Sequence, residues 1–386
     1  MRRARTVENP FRYGEIVSGS FFTDRERELA DLVSDALSGQ NVVIISPRRY
    51  GKTSLVLNAR ERLTAEGGLV SYVDLLRVAT LNELANELAT ALYNGIVAPV
   101  ERLKHQAGEI FASLPVRPKL TINPNGTWGV ELAVSEQRHD AEDLLEKLLE
   151  LPQSVARERK RRIVLVLDEF QQVVEIDEHL PALLRSVFQT QADVGHIFLG
   201  SRQHLMRQVF TDRNQPLYRS ARSLPLGIIP AADFAVFIRE RCRASHVAID
   251  QQAVDRILSI TSCHPHDTQE LAHFAWALAR DANGRITTSV VDAALDRVVA
   301  AEDAHYTTLW ESLTLAQRRV LLAIARDPGR QLFAEPFRRT HRLGAASTVQ
   351  TALERLLERE IVEGASTRGF SLPDVFLRAW LQHTVS

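Results

Sequence analysis

Residues 41–55 read NVVIISPRRYGKTSL, and no other stretch restricts the possible folds so strongly. An apolar run, Val42–Ile45, has the length and β-branched content of a buried strand. It leads into a loop ending Gly51-Lys52-Thr53 and then into a helical pattern. Strand, loop and helix in this order build a phosphate cradle. Backbone N–H groups of Ser46, Pro47, Arg48, Arg49, Tyr50, Gly51, Lys52, Thr53 and Ser54, proline excepted, can wrap an anion at a helix N-terminus. The consensus G-x-x-x-x-G-K-[ST] has serine at its first position here, Ser46, which costs some φ freedom without adding bulk. Lys52 is expected to bridge β- and γ-phosphate oxygens and the Thr53 hydroxyl to ligate Mg²⁺.

Composition sharpens this reading. Only five of the 47 basic residues are lysines, yet one falls where a compact, rotatable ammonium fits and a rigid guanidinium does not. The second half of such a site is IVLVLDEF, the most apolar strand of the chain. Asp168 at its end suits a metal shell, and Glu169 is placed to orient or deprotonate an attacking water. A third strand, HIFLGS, ends at Ser201-Arg202, where a polar side chain can sense the γ-phosphate and a guanidinium can stabilise developing charge.

Around these motifs the chain alternates strand and helix as far as residue 225, which predicts an α/β core with a parallel sheet. Thr23-Asp24-Arg25-Glu26 reads as a capping box opening a helix, and Thr80 as the start of another. The stretch LTINPNGTWGVELAV predicts a hairpin around Asn125-Gly126. A helix is expected over residues 179–192. From 231 to 300 the pattern is helical only. Residues 305–386 predict three helices, a strand at Ile361-Val362, a turn, a strand over Phe370–Leu372 and a terminal helix: a winged helix-turn-helix. Three domains therefore follow: 1–225, 226–304 and 305–386.

The rest of the composition mainly excludes. At 45% apolar and 25% charged residues with a net charge of -1, the chain is ordinary for a globular protein and has no global field drawing it to nucleic acid or anionic lipid. No run reaches the roughly 18 apolar residues of a membrane span, and the N-terminus lacks a secretory apolar segment, so a cytoplasmic protein without membrane contact is expected. The two cysteines form no disulfide framework. His264 and His266 near Cys263 lack a fourth ligand at useful spacing, which argues against zinc. Trp276 and Trp310 stand among apolar neighbours as expected core residues.

The segments NPFRYGEIVSG, FFTDRERELADL, SPRRYGKTSL, VSYVDL, IVLVLDEFQ, FLGSRQHLM, PLYRSARSLPLG and FSLPDVFLRAWL together resemble the archaeal-type ATPase family, of the STAND branch of AAA-like P-loop NTPases related to origin-recognition ATPases. The resemblance implies an α/β core of AAA type, an all-α lid and a C-terminal winged helix, a switch that binds ATP or ADP with Mg²⁺ and hydrolyses ATP slowly. It also implies that serine is acceptable at Ser46, and that Asn9–Gly14 with Phe21 and Phe22 lies near the adenine. Leu226–Pro230 corresponds to the entry to the lid. Pro265 corresponds to the proline of the lid's Gly-x-Pro turn, where Cys263 replaces the glycine.

The winged helix leaves two readings open. Arg338, Arg339, His341 and Arg342 form a basic cluster at the turn, as a DNA-binding module of origin-recognition or transposition type would require. However, the third helix carries Glu354, Glu358 and Glu360, and residues 306–386 hold 11 arginines against 8 acids, a weak footprint for phosphates. A regulatory brake, a protein-partner surface or self-association is the other reading. A nucleotide-bound scaffold with negligible turnover is a third class.

Overall fold

A computed structural model of the chain describes residues 8–14, 25–97, 118–122, 128–132, 138–282, 284–329, 331–365 and 369–384. The chain divides into two compact units, Ile16–Gly227 and Ile228–Ser386, the latter together with Met1–Glu15.

In the first unit α1 (Glu26–Leu37), β1 (Val42–Ile45), α2 (Lys52–Ala65), β2 (Leu69–Asp74) and α3 (Leu81–Leu92) follow one another. A π turn over Tyr93–Val97 and an antiparallel pair, β3 (Pro118–Ile122) with β4 (Trp128–Leu132), come next. Then follow α4 (Arg138–Arg159), β5 (Ile163–Asp168), α5 (Gln172–Ile176), α6 (Leu180–Phe188), β6 (Val194–Gly200), α7 (Gln203–Thr211) and β7 (Arg222–Ser223). The main sheet has the order β2-β5-β6-β1-β7, and all its pairings are parallel.

Every residue of β5 and β6 is buried, because helices cover both faces of a parallel sheet and alternation has no polar side to serve. Val43, Leu165, Leu167 and Phe198 face a layer that includes Leu84 and Leu88 of α3 and Leu148 of α4. Ile44, Val164, Val166, Ile197 and Leu199 face Leu32 of α1 and Leu55 of α2. Each such side chain contributes about 1.5–3 kcal/mol by leaving water. The sheet therefore holds the ends of β1, β5 and β6 side by side.

The second unit begins with α8 (Ala231–Ala244), β8 (Ala248–Ile249), α9 (Gln251–Thr261), α10 (Pro265–Ala282), β9 (Arg285–Ile286) and α11 (Thr288–Glu311). It continues with α12 (Leu315–Arg326), α13 (Glu335–Thr340), α14 (Ala346–Glu358), the antiparallel β10 (Glu363–Ala365) and β11 (Gly369–Ser371), and α15 (Val375–Thr384). One hydrophobic core runs through it, from Phe234 and Trp276 to Leu356 and Trp380. The long α11 contributes along its length: Val291 and Val298 pack in that core, the Tyr306 hydroxyl donates to Asp374 (3.1 Å), and Asp303 accepts from Trp380 Nε1 (2.7 Å). Residues 8–14 join this unit. Asn9 Nδ2 donates to the His273 carbonyl (3.0 Å), His273 Nδ1 donates to the Phe11 carbonyl (2.8 Å), and Phe11 is buried.

Several expectations change. Thr23 and Asp24 lie outside the described residues, and Arg25 occupies the N-cap of α1 without a side-chain cap. Asn125-Gly126 also lies outside them, although the flanking strands pair as expected. The helix expected over 179–192 ends at Phe188, and the region read as purely helical contains β8 and β9, paired in parallel. The first strand of the wing begins at Glu363, because Ile361 and Val362 are drawn into the core and Ile361 N–H closes the end of α14 on the Leu356 carbonyl (3.0 Å). Trp276 is buried, with Nε1 donating to Ser245 Oγ (2.7 Å), and Trp310 packs at the edge of the core. No helix among the described residues is long and apolar enough to cross a membrane.

Candidate functional site

The loop after β1 turns into α2 through Gly51, whose φ of 83° is the left-handed conformation that glycine adopts without Cβ strain. An added Cβ would meet nothing within 4 Å, so the backbone angle rather than crowding selects glycine. Arg49 is also left-handed, at φ 66°. The Lys52 ammonium is buried and donates to the carbonyls of Ser46 (2.8 Å) and Pro47 (2.7 Å), closing the loop on itself. Ser46 Oγ is buried with no hydrogen-bond partner among the described residues. No acidic residue stands in the first turn of α2, so its positive end is left for an anion. Arg48 and Arg49 are exposed, Pro47 and Tyr50 half-buried, and Ser54 buried.

Asp168 ends β5 beside this loop. Its Oδ2 accepts from Thr53 Oγ1 (3.3 Å) and from the Tyr72 hydroxyl, and its Oδ1 accepts from Glu169 N–H (2.8 Å). Burial raises the Asp168 carboxyl above its ordinary value, outweighing the hydrogen bonds from Tyr72 and Glu169 that pull it down. Glu169 follows in a left-handed conformation, φ 51°. Its Oε2 accepts from Ser201 Oγ (3.0 Å), at the end of β6, and from Gln171 Nε2. Three adjacent strand ends thus bring together Lys52, Thr53, Asp168, Glu169 and Ser201.

Arg202 is placed differently from its expected role: its guanidinium pairs with Glu175 of α5 at 2.6 Å. Tyr72 and Gln171 escape sequence reading. Tyr72 leaves one faint signal, an aromatic hydroxyl two residues before the strand-ending Asp74 in LVSYVD. Burial, then the neighbouring Asp168 charge, pushes the Tyr72 phenol upward and keeps it a donor.

Pro265 lies in the other unit, at the first position of α10. Ser262 (φ 50°) and Cys263 (φ 59°), separated from it by His264, are both left-handed. The backbone there takes the conformation that favours glycine although a cysteine occupies it.

At the helix-turn-helix the side chains of Arg338, Arg339 and His341 are engaged by their own chain. Arg338 donates to the carbonyls of Phe333 (3.1 Å) and Gly344 (3.0 Å), and Arg339 pairs with Glu335 (2.5 Å). His341 faces Asp327 at 2.9 Å, and Arg319 reaches the Arg342 carbonyl at 3.5 Å. A pocket of about 420 Å³ is lined there by Arg319, Arg338, Arg339, Arg342 and Glu335. On α14, Glu354 and Glu358 are exposed.

A five-stranded parallel sheet with a phosphate loop after β1 and an Asp-Glu pair after β5 defines a P-loop ATPase fold. The chain belongs to the family of ATPase domains predominantly from Archaea, which matches residues 22–270, and a probable winged helix domain matches residues 304–383. Among solved structures it resembles a Walker-type ATPase of Pyrococcus abyssi at 15% identity, covering 94% of this chain and 96% of that one with a TM-score of 0.67. It also resembles the ORC2 protein of Aeropyrum pernix, solved in ADPNP–ADP complexes, at 14% identity over 97% of this chain and 99% of that one, TM-score 0.54. No curated protein matches the sequence.

Proposed function

We propose that the chain is an ATP-dependent switch: it binds ATP or ADP with Mg²⁺ at the P-loop, hydrolyses ATP slowly, and passes its nucleotide state to a helical lid (226–304) and a winged helix (305–386). The observation that carries this is the meeting of Lys52, Thr53, Asp168, Glu169 and Ser201 at neighbouring strand ends. Lys52 and the α2 N-terminus are suited to a triphosphate, and the left-handed Gly51 lets the backbone approach it. Thr53 Oγ1 and Asp168 Oδ2 are hard oxygen donors 3.3 Å apart, which fit Mg²⁺. Bound there, the ion would neutralise charge on the phosphates.

Glu169 is the group to orient water, and Ser201 holds the carboxylate that does so. Slow turnover is consistent with the bonds that Lys52 makes to its own loop, which a phosphate must replace. Pro265 at the head of α10 is the lid residue assigned to nucleotide. Arg202 keeps a possible role only if its pair with Glu175 opens.

The winged helix is assigned to regulation, as a brake or a surface for a protein partner or self-association, because Arg338 holds its own backbone and Arg339 a neighbouring carboxylate. A second reading, ATP-gated binding of duplex DNA, rests on the arginine-lined pocket at the turn. Nucleotide extracted from the purified protein, with oligomer size measured in ADP and in a slowly hydrolysed ATP analogue, tests the switch. The reading fails if neither nucleotide binds; retained ADP with no turnover would instead make the protein a nucleotide-bound scaffold.

A further inference from the structure

At the head of α10 four metal-ligating side chains crowd together, and the ATPase reading uses none of them. His266 Nδ1 lies 3.2 Å from Asp267 Oδ1 and 3.6 Å from Glu270 Oε2. His264 Nδ1 lies 3.2 Å from Asp267 Oδ2. His266, Asp267 and Glu270 each offer a ligand atom within 4.8 Å of the others. In the sequence Cys263, His264 and His266 lack a fourth ligand at the spacing of a zinc site. The fold supplies two carboxylates in its place, Asp267 beside the histidines and Glu270 one helical turn beyond His266.

Ion pairing alone leaves part of this cluster unexplained. The Asp267 side chain is 4% exposed, and its Oδ2, 3.2 Å from His264 Nδ1, has no well-aligned hydrogen-bond donor among the described residues. The nitrogen facing that oxygen, His264 Nδ1, itself accepts from Asp267 N–H at 3.4 Å. With the His264 proton on Nε2, two acceptors face each other in a buried place, an arrangement that a proton on Nδ1 or a metal cation relieves. The distances agree with this: bonds of about 2.0–2.1 Å to Zn²⁺ in a tetrahedron put neighbouring ligand atoms about 3.3 Å apart. The positive end of α10 opposes a cation, but two carboxylates outweigh that partial charge.

We propose that His266, Asp267 and Glu270, with His264 against Asp267, form a binding site for a zinc-class transition metal. Imidazole nitrogens combined with carboxylate oxygens select such an ion over Mg²⁺ or Ca²⁺, which take oxygen alone. The site ties the left-handed Ser262-Cys263 turn to the first turn of α10.

The test uses the full-length protein, stripped with chelator and freed of nucleotide. It is titrated with Zn²⁺ by calorimetry and with Co²⁺ by visible absorption. The expected results are one saturable site, the intense absorption of tetrahedral cobalt with nitrogen and oxygen ligands, and a melting temperature that rises with Zn²⁺. His266→Gln and Glu270→Gln should each weaken binding on the order of 10²-fold or more, since even outer partners of a metal cost 10–100-fold. Asp168→Asn should leave Zn²⁺ affinity unchanged, which separates this site from the P-loop. The wild-type cobalt spectrum decides the matter even where a variant fails to fold. Absence of saturable binding, an octahedral spectrum, or unchanged affinity in both folded variants would overturn the proposal and leave a purely proton-bridged cluster.

Discussion

Two turns in this molecule gather positive charge, one after β1 and one between α13 and α14, and they use it in opposite ways. In the first, Lys52 is buried against the Ser46 and Pro47 carbonyls, beside a Ser46 hydroxyl with no partner among the described residues and a helix N-terminus with no acid in its first turn. In the second, Arg338 braces the Phe333 and Gly344 carbonyls while Arg339 and His341 face Glu335 and Asp327. In the exposed Arg339–Glu335 pair the two opposite charges offset most of the field that Arg339 would otherwise project. A turn suits phosphate through the donors it leaves unsatisfied and the dipole it exposes, more than through its number of basic residues.

The comparison breaks most readily at Lys52. Lys52→Ala should abolish ATP and ADP binding in a calorimetric titration, because the ammonium and the α2 N-terminus neutralise the phosphates jointly. Unchanged affinity would remove the P-loop assignment. Next in size is Glu169→Gln. Nucleotide should stay bound while turnover falls on the order of 10²–10⁴-fold, the weight of a positioned base. A wild-type rate would transfer that role to another group.

Much of the first turn was legible because its parts are local. Ser46 to Ser54 are consecutive, and Asp168-Glu169 ends an unmistakably apolar strand. The partners of those carboxylates were less visible. Tyr72 reaches Asp168 only because β2 pairs with β5, with Asp74 opposite Asp168 in the register, and no window of sequence contains that pairing. Gln171 and Arg202 turn on side-chain direction after a strand end, where Glu175 competes for the guanidinium. The two-residue β7 carries exposed side chains and so leaves no apolar pattern to find. The wing strand was misplaced because Ile361 and Val362 are apolar for the core rather than for pairing. The spacing of His266 and Glu270, four residues apart on a helix, was readable but pointed to nothing until Asp267 was seen to be buried between histidines.

A smaller effect sharpens the second turn. Arg338→Ala should destabilise the C-terminal unit by about 1–3 kcal/mol, since a charged donor to two carbonyls is lost. Chemical denaturation of the full chain, followed by tryptophan fluorescence from Trp276, Trp310 and Trp380, reads this directly. Arg339→Ala should cost about 1 kcal/mol or less, because its partner Glu335 and the guanidinium are both largely exposed. Equal costs would mean that Arg338 is not the brace.

The smallest expected effect decides between the two readings of the winged helix. Deleting residues 306–386 is a poor probe, because Tyr306, Leu356 and Trp380 belong to one core with Phe234 and Trp276 and the cut would expose it. Arg339→Ala combined with Arg342→Ala leaves the Arg338 brace in place and removes charge from the pocket at the turn. Duplex binding is then measured by fluorescence anisotropy at two salt concentrations, in ADP and in an ATP analogue. If the arginines serve the fold, affinity is low throughout, and the double variant changes neither it nor the slope of log affinity against log salt. If they contact phosphates, wild-type binding is tight, depends on the ATP analogue and falls steeply with salt, and the slope drops by about one for each contact removed. The second outcome would make the two turns alike in function and sink the regulatory assignment.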